Sequence, residues 1–321
     1  MTPANGKNDA SSALCAAICA RSAAGEISPQ IAVMELLIAC EDVDDVSRYI
    51  ASARARALAR QGEELSDAAA RAFDQISQLL AEHAGGCARI ASMLRSGMDS
   101  PPDVTEGEGS DDAAAREGIL FCQRLFDWSV QQSEEASVAL YSLGSPEILA
   151  NATREIVGYL DSKGLLRPQS SVLEIGCGIG RIERAIADRV RSAHGIDVSP
   201  RMIEVARRRC ESETNLEFSV CSGRDLGAFV DGAFDLVFAV DSFPYLVQSS
   251  MALVRSHFAE AARVLCPGGD FVILNFSYRE DDPADRRDVS ALARDAGLTV
   301  VDLGTHPFAL WNGAAFHLRR P

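Results

Sequence analysis

The sequence predicts an α/β fold: a doubly wound, mostly parallel, seven-stranded sheet preceded by an all-α N-terminal region. Three observations carry this. From Ser171 to the C-terminus, short apolar runs alternate with amphipathic stretches of helical spacing, the pattern of consecutive βαβ units. Between the first such run and the next helix stands Gly176-Cys177-Gly178-Ile179-Gly180, a turn that lets a ligand approach the backbone closely. Before Gly97 the chain is alanine-rich, keeps apolar residues at helical spacing and has no strand-like alternation.

Taken in order, Leu14 to Ala20 is a short apolar stretch ended by Arg21, and reads as a buried first helix and not as a leader peptide. Ser28-Pro29 opens a second helix, because serine caps free amides and proline suits the first turn. Ile31, Met34, Leu37 and Ile38 line one of its faces. Another helix runs from about Asp44 to Arg60, the next follows Ser66-Asp67, and Gly85-Gly86 is expected to interrupt before a short piece ending at Gly97. Residues 98–112, with Pro101, Pro102 and clustered acids, have linker composition. The expected domains are therefore a helical one over 1–97, an acidic linker over 98–112 and a larger one over 113–321. The last divides into entry or lid helices over 113–168 and an α/β core over 169–321. Strands are expected near 171–175, 194–197, 216–220, 234–240, 270–276, 298–303 and 315–319.

Composition excludes several classes. The net charge is −15, and residues 1–150 hold 11 Lys and Arg against 23 Asp and Glu. Only Lys7 and Lys163 are lysines, so phosphate backbones and anionic membranes are discounted as partners. No apolar run reaches the ~18–20 residues that span a bilayer. Nine cysteines without Cys-x-x-Cys pairs suit reduced thiols and a cytoplasmic location; Cys15 and Cys19 read as small core residues, and no metal is expected.

The strand Val172-Leu173-Glu174-Ile175 feeds the glycine turn, and a helix is expected from about Ile179 to Val190. Gly195-Ile196-Asp197 ends the second strand, where a carboxylate can accept both hydroxyls of an adenosine ribose. A nicotinamide site uses the same turn and acid, but requires Gly-x-Gly-x-x-Gly; here Gly180 follows Gly178 by two, and Arg181 stands where the next glycine belongs. Glu174 would repel a pyrophosphate and is welcome beside a sulfonium and an ammonium.

On these residues the segment resembles motif I of the class I S-adenosylmethionine-dependent methyltransferases, acid-x-Gly-x-Gly-x-Gly. Asp197-Val198-Ser199-Pro200-Arg201-Met202-Ile203 is similar to the family's second motif, and Ser222-Gly223-Arg224-Asp225-Leu226 follows the third strand, where the family grips adenine. Phe234-Asp235-Leu236-Val237 resembles the fourth strand, and Arg263-Val264-Leu265-Cys266-Pro267-Gly268-Gly269 the approach to the fifth. The resemblance covers roughly residues 150–321 and implies a Rossmann-like methyltransferase core with S-adenosylmethionine as cofactor and S-adenosylhomocysteine as product. It implies cofactor contacts at Glu174, Gly176, Cys177, Gly178, Gly180, Asp197, Val198, Met202, Ser222, Gly223, Arg224, Asp225 and Val240. Ser222 stands where many relatives carry an adenine-contacting aspartate, so either Ser222 or Asp225 reads the adenine, and Asp225 reads equally as a helix cap.

The methyl acceptor should lie over the strand ends, among Asp241-Ser242-Phe243-Pro244-Tyr245 and Asn275-Phe276-Ser277-Tyr278-Arg279. The first block faintly resembles the Asp-Pro-Pro-Tyr motif of enzymes that methylate nucleic acid bases, but two residues separate Asp241 from Pro244, and the charge opposes that use. Candidate catalytic residues are Asp241 and His257 as proton acceptors, the latter reading also as a helix-surface residue, and Tyr141 as a pocket wall or as core. Trp128 and Trp311 are weighed in the same way, and His306 and His317 show no partner in sequence. The expected function is methyl transfer to a small-molecule acceptor. Alternatives are a protein or carrier-bound substrate docked by the helical segment, and a non-catalytic protein that binds the donor. The N-terminal helices are assigned to shaping the pocket, to a homodimer or to a protein partner.

Overall fold

The computed structural model describes residues 4–40, 42–61, 67–96 and 111–321. The linker expected over 98–112 lies outside them except for its last two residues, which open a helix. The chain forms two compact units: 1–98 with 129–152 and 309–312, and 99–128 with 153–308 and 313–321.

The first unit is helical. α1 (Ala4–Ala23), α2 (Pro29–Cys40), α3 (Val43–Gln61), α4 (Asp67–Glu82) and α5 (Ala84–Arg95) bury Cys15, Ile18, Cys19, Leu36, Leu37, Ile76 and Ile90. Local chemistry sets the helix starts: Ser28 Oγ accepts from Ile31 N–H at 3.2 Å ahead of Pro29, and Asp42 Oδ1 accepts from Asp44 N–H at 2.9 Å. Gly85-Gly86 does not interrupt α5 but forms its first turn. The reason is a close approach, since a Cβ on Gly86 would stand 1.9 Å from the Leu143 carbonyl oxygen. After α6 (Asp111–Gln132) come α7 (Glu134–Val138), a 3₁₀ turn over 140–142 and α8 (Pro146–Ser162).

The second unit is built on the sheet, with β1 (Ser171–Ile175), β2 (Ser192–Asp197), β3 (Leu216–Val220), β4 (Phe234–Val240), β5 (Leu265–Leu274), β6 (Thr299–Thr305) and β7 (Ala315–Arg319). Among the described residues this is a seven-stranded sheet in the order β3-β2-β1-β4-β5-β7-β6. β7 pairs antiparallel with both β5 and β6, and the other pairs are parallel. The strand order reverses between β1 and β4, where a doubly wound sheet opens its ligand crevice. β1 is buried on both faces, as layers of helix require. β5 begins five residues earlier than its apolar run suggests, because Leu265 already pairs with Phe234 ahead of a bulge.

The crossovers are α9 (Arg181–Ile186), α10 (Pro200–Arg209), α11 (Phe243–Ser249), α12 (Met251–Val264) and α13 (Asp282–Asp295). α9 is shorter than expected, since Gly180 holds a left-handed φ of 71° and 187–189 tighten into a 3₁₀ turn. Under β4 and β5 the rings of Phe243, Phe258, Phe271 and Phe276 pack with centroids 5.4–6.5 Å apart, all fully buried. Phe243 touches the other three and leads directly out of the β4 loop. Phe243→Ala is expected to destabilise the fold by about 3–5 kcal/mol, read from denaturant unfolding; a change below about 1 kcal/mol would show that the cluster collapses around the gap.

Candidate functional site

The loop after β1 is held by backbone bonds before any ligand is considered. Gly176 and Cys177 N–H both donate to the Ile196 carbonyl, at 2.8 and 3.0 Å, and Ser242 Oγ donates to the Ile175 carbonyl at 2.6 Å. The ends of β1, β2 and β4 are thereby tied around one mouth. Gly176 is obligatory there: its φ is 78°, and a Cβ would lie 2.5 Å from the Ser242 Cβ.

Asp197 closes the same mouth from β2. Its Oδ2 accepts from Gly178 N–H at 3.0 Å and its Oδ1 from Ser199 N–H at 2.9 Å, which leaves lone pairs for a ribose diol. Burial pushes its pKa up to about 6, against the pull of these amides. Behind it, Ser199 caps α10 by accepting from Met202 N–H at 3.0 Å, while its hydroxyl donates to Asp127 Oδ1 at 2.6 Å. Asp127, on α6, is a buttress that sequence reasoning missed, because no local signal links it to a residue 72 positions away.

Glu174 lies beneath the loop, buried to 2% exposure, with Glu183 of α9 beside it at 0%. Burial raises Glu174 well above the usual carboxylate range, and the neighbouring Glu183 adds to this; Glu183 itself is pushed up to about 7. Glu183 was not singled out from sequence. Its signal is faint: an acid at the position that, with Ile179 and Ile186, completes the apolar face of the helix.

Across the mouth, Asp241 and Asn275 end β4 and β5 in left-handed conformations, with φ of 57° and 72°. Asn275 Nδ2 donates to Asp241 Oδ1 at 2.7 Å, and the Tyr278 hydroxyl is hydrogen-bonded to Asp241 and Tyr245. Burial lifts Asp241 to about 6, opposed by the bonds from Asn275 and Tyr278 and by Arg181. The Tyr245 ring meets Phe126 and Tyr278 edge-on at 5.1 and 5.8 Å. Strained backbone at two adjacent strand ends, joined by a side-chain bond, is how such sites hold a polar group in place.

The remaining sequence candidates are spread more widely. Gly223 packs on Val198, Ser222 Oγ accepts from Arg224 N–H at 3.2 Å, and Arg224 pairs with Asp112 at 2.8 Å. Asp225 Oδ1 accepts from Gly227 N–H at 3.0 Å, a turn-closing bond. Met202 and Val240 are buried, and Cys177 is buried with its thiol pushed well up by desolvation. His257 is not on the helix surface: it is 2% exposed, with Nδ1 2.9 Å from the Leu253 carbonyl of its own helix, and burial lowers its pKa. Its acidic neighbours are Asp225 and Glu260. Tyr141 belongs to the helical unit, where its ring stacks on Trp311 at 6.3 Å. His306 and His317 do have partners, Asp282 at 2.8 Å and the buried Asp270 at 2.7 Å. Among the described residues no group of His, Cys, Asp or Glu is placed to hold a metal ion, and no helix is long and apolar enough to cross a membrane.

An acid beside a glycine turn, at the switch point of the sheet, is the arrangement of a doubly wound α/β domain with a ligand crevice at its strand ends. Within that class, the family described as "Methyltransferase domain" matches residues 172–269 of the chain. The demethylmenaquinone methyltransferase of Tropheryma whipplei is 36% identical over 107 residues, 33% of this chain and 42% of the relative. The 2-methyl-6-phytyl-1,4-hydroquinone methyltransferase of Synechocystis is 33% identical over 118 residues, 36% and 35%. A solved S-adenosylmethionine-dependent methyltransferase from Aquifex aeolicus is similar at a TM-score of 0.42 and 17% identity, over 55% of this chain and 92% of that one. The chain thus spans less than half the length of the curated relatives it matches. The family's cofactor, S-adenosylmethionine, fits the residues present. Asp197 keeps lone pairs for the diol, and Glu174 Oε2 is a buried acceptor with no hydrogen-bond partner among the described residues.

Proposed function

We propose that this chain transfers the methyl group of S-adenosylmethionine to a small-molecule acceptor. The observation that carries the reading is the pairing of two acids across one mouth. Asp197 is set for the donor's ribose, and Asp241 lies next to Ser242, which is bonded to the end of β1. The donor brings an activated methyl on its sulfonium; the chain has to orient it, exclude water and take up the acceptor's proton. Asp241, raised by burial and steadied by Asn275, is the proton acceptor for a hydroxyl or amine. The small-molecule acceptors in the relatives' names support this class. The acceptor-side rings Phe126, Tyr245 and Tyr278 are its walls. Nine free thiols suit a cytoplasmic location, and the helical unit is assigned to an interface, in a homodimer or with a protein partner.

The test combines calorimetric titration with S-adenosylmethionine and S-adenosylhomocysteine with methyl-labelled donor in cell extract. Donor binding together with label in the low-molecular-weight fraction is the expected result. Label in the protein fraction would replace the acceptor class, and binding without any label would leave a donor-binding protein without turnover.

A further inference from the structure

β1 and β2 run with Glu174 opposite Gly195, and α9 brings Glu183 to the same place. A Cβ on Gly195 would stand 2.4 Å from Glu183 Oε1 and 2.7 Å from the Cys177 Cβ, so the bare glycine is what makes room for a second acid. Glu174 Oε2 and both Glu183 oxygens are buried and meet no donor from elsewhere among the described residues. Two carboxylates in such a place repel each other and are not solvated, so a dianion is strongly disfavoured. Fully protonated, the pair would place no charge beside a loop whose ligand is a cation. One proton held between the two satisfies both constraints.

We propose that Glu174 and Glu183 share a single proton and together form a monoanionic seat for the ammonium group of the methyl donor. Glu183 is a positioning residue here: it acts through Glu174, deciding when that carboxyl carries charge. The inference rests on the reading of the glycine loop as the donor site. The charged and titratable groups that face the pair are Arg181 from α9, which favours ionisation, Asp197 from the end of β2, which opposes it, and the protonated Cys177 thiol of the loop. As pH falls through the pair's first ionisation the seat becomes neutral, and affinity for an ammonium-bearing ligand must fall with it, by up to about tenfold per pH unit for one proton.

The experiment is calorimetry on the full chain between pH 5.5 and 7.5 with two probes. S-adenosylhomocysteine carries the ammonium, and 5′-methylthioadenosine lacks it and reports the titration of Asp197 alone. In the unaltered protein S-adenosylhomocysteine should tighten about tenfold from pH 6 to 7.5, and methylthioadenosine distinctly less. Glu183→Gln should flatten the S-adenosylhomocysteine profile, because its amide donates to Glu174 and lets it ionise throughout the range. Glu174→Gln should weaken S-adenosylhomocysteine and spare methylthioadenosine. Equal slopes for the two probes, or a slope unchanged in Glu183→Gln, would overturn the shared proton and leave the donor site standing. Failure of both probes to bind would overturn the donor site itself.

Thermal unfolding gives a readout that needs no ligand. The folded pair holds its proton more tightly than unfolded glutamate, so its contribution to stability is full at low pH and is lost as pH rises through the folded value. Glu183→Gln should therefore raise Tm relative to the unaltered chain at pH 8 and not at pH 5; the same difference at both would count against the pair.

Discussion

Asp197→Ala is expected to remove detectable binding of S-adenosylmethionine and S-adenosylhomocysteine in calorimetric titration. Two hydrogen bonds from a ribose diol to an ionised carboxylate are worth about 3–6 kcal/mol together, or roughly two to four decades of affinity. The change also frees Gly178 N–H and Ser199 N–H, which the carboxylate now holds at 3.0 and 2.9 Å, so the loop and the start of α10 lose a common anchor. Asp197→Asn keeps the shape but turns an amide donor toward one of those N–H groups, and should be nearly as damaging. Because burial lifts Asp197 to about 6, donor affinity in the unaltered protein should also decline as pH drops below that value. An affinity within threefold of the unaltered protein in Asp197→Ala would show that the acid at the end of β2 does not read the ribose.

Asp241→Asn should lower kcat/KM by about 10²- to 10⁴-fold and leave donor binding intact. Asparagine tolerates the left-handed φ of 57° as aspartate does, so the strand end keeps its geometry and the loss reports the missing base. The unaltered enzyme should lose rate on acidification through about pH 6, where the carboxyl takes up its proton, and this limb should vanish in Asp241→Asn. Asn275→Ala makes the assignment sharper. It removes the 2.7 Å bond that favours the ionised form, so the acid limb should move to higher pH with donor affinity unchanged. Turnover within threefold of the unaltered protein in Asp241→Asn would mean that positioning alone suffices and that no base acts at this position.

Much of the α/β half was legible because its signals are local. Short apolar runs that alternate with amphipathic helical stretches between glycine and polar breaks read as strands of βαβ units, and the strand bounds expected from sequence agree with those observed to within two residues, apart from the earlier start of β5. The glycine turn and Asp197 were legible for a related reason: a left-handed turn leaving a strand leaves few residue choices, and the acid follows at the end of the very next strand. Antiparallel β7 was not resolved beyond the expectation of a mostly parallel sheet, since direction follows from which edge a short connection can reach.

The sequence by itself determined the fold class, the place of the glycine loop, the acid at the end of β2 and the block after β4 that supplies Asp241, all from patterns within a few residues of each other. Tertiary structure alone decided what those residues experience. Asp127 reaches Ser199 only because α6 passes the start of α10, and His257 is buried with its ring edge-on to Phe243, 14 positions away in the chain. Gly86 continues a helix because a distant carbonyl needs its bare Cα, and Glu183 becomes one of a pair of buried acids because Gly195 of a neighbouring strand leaves room for it. Periodicity encodes which face of an element is apolar. Whether a polar group on that face meets water, a donor or another acid depends on contacts between residues far apart in the chain, and those exist only once the layers have packed.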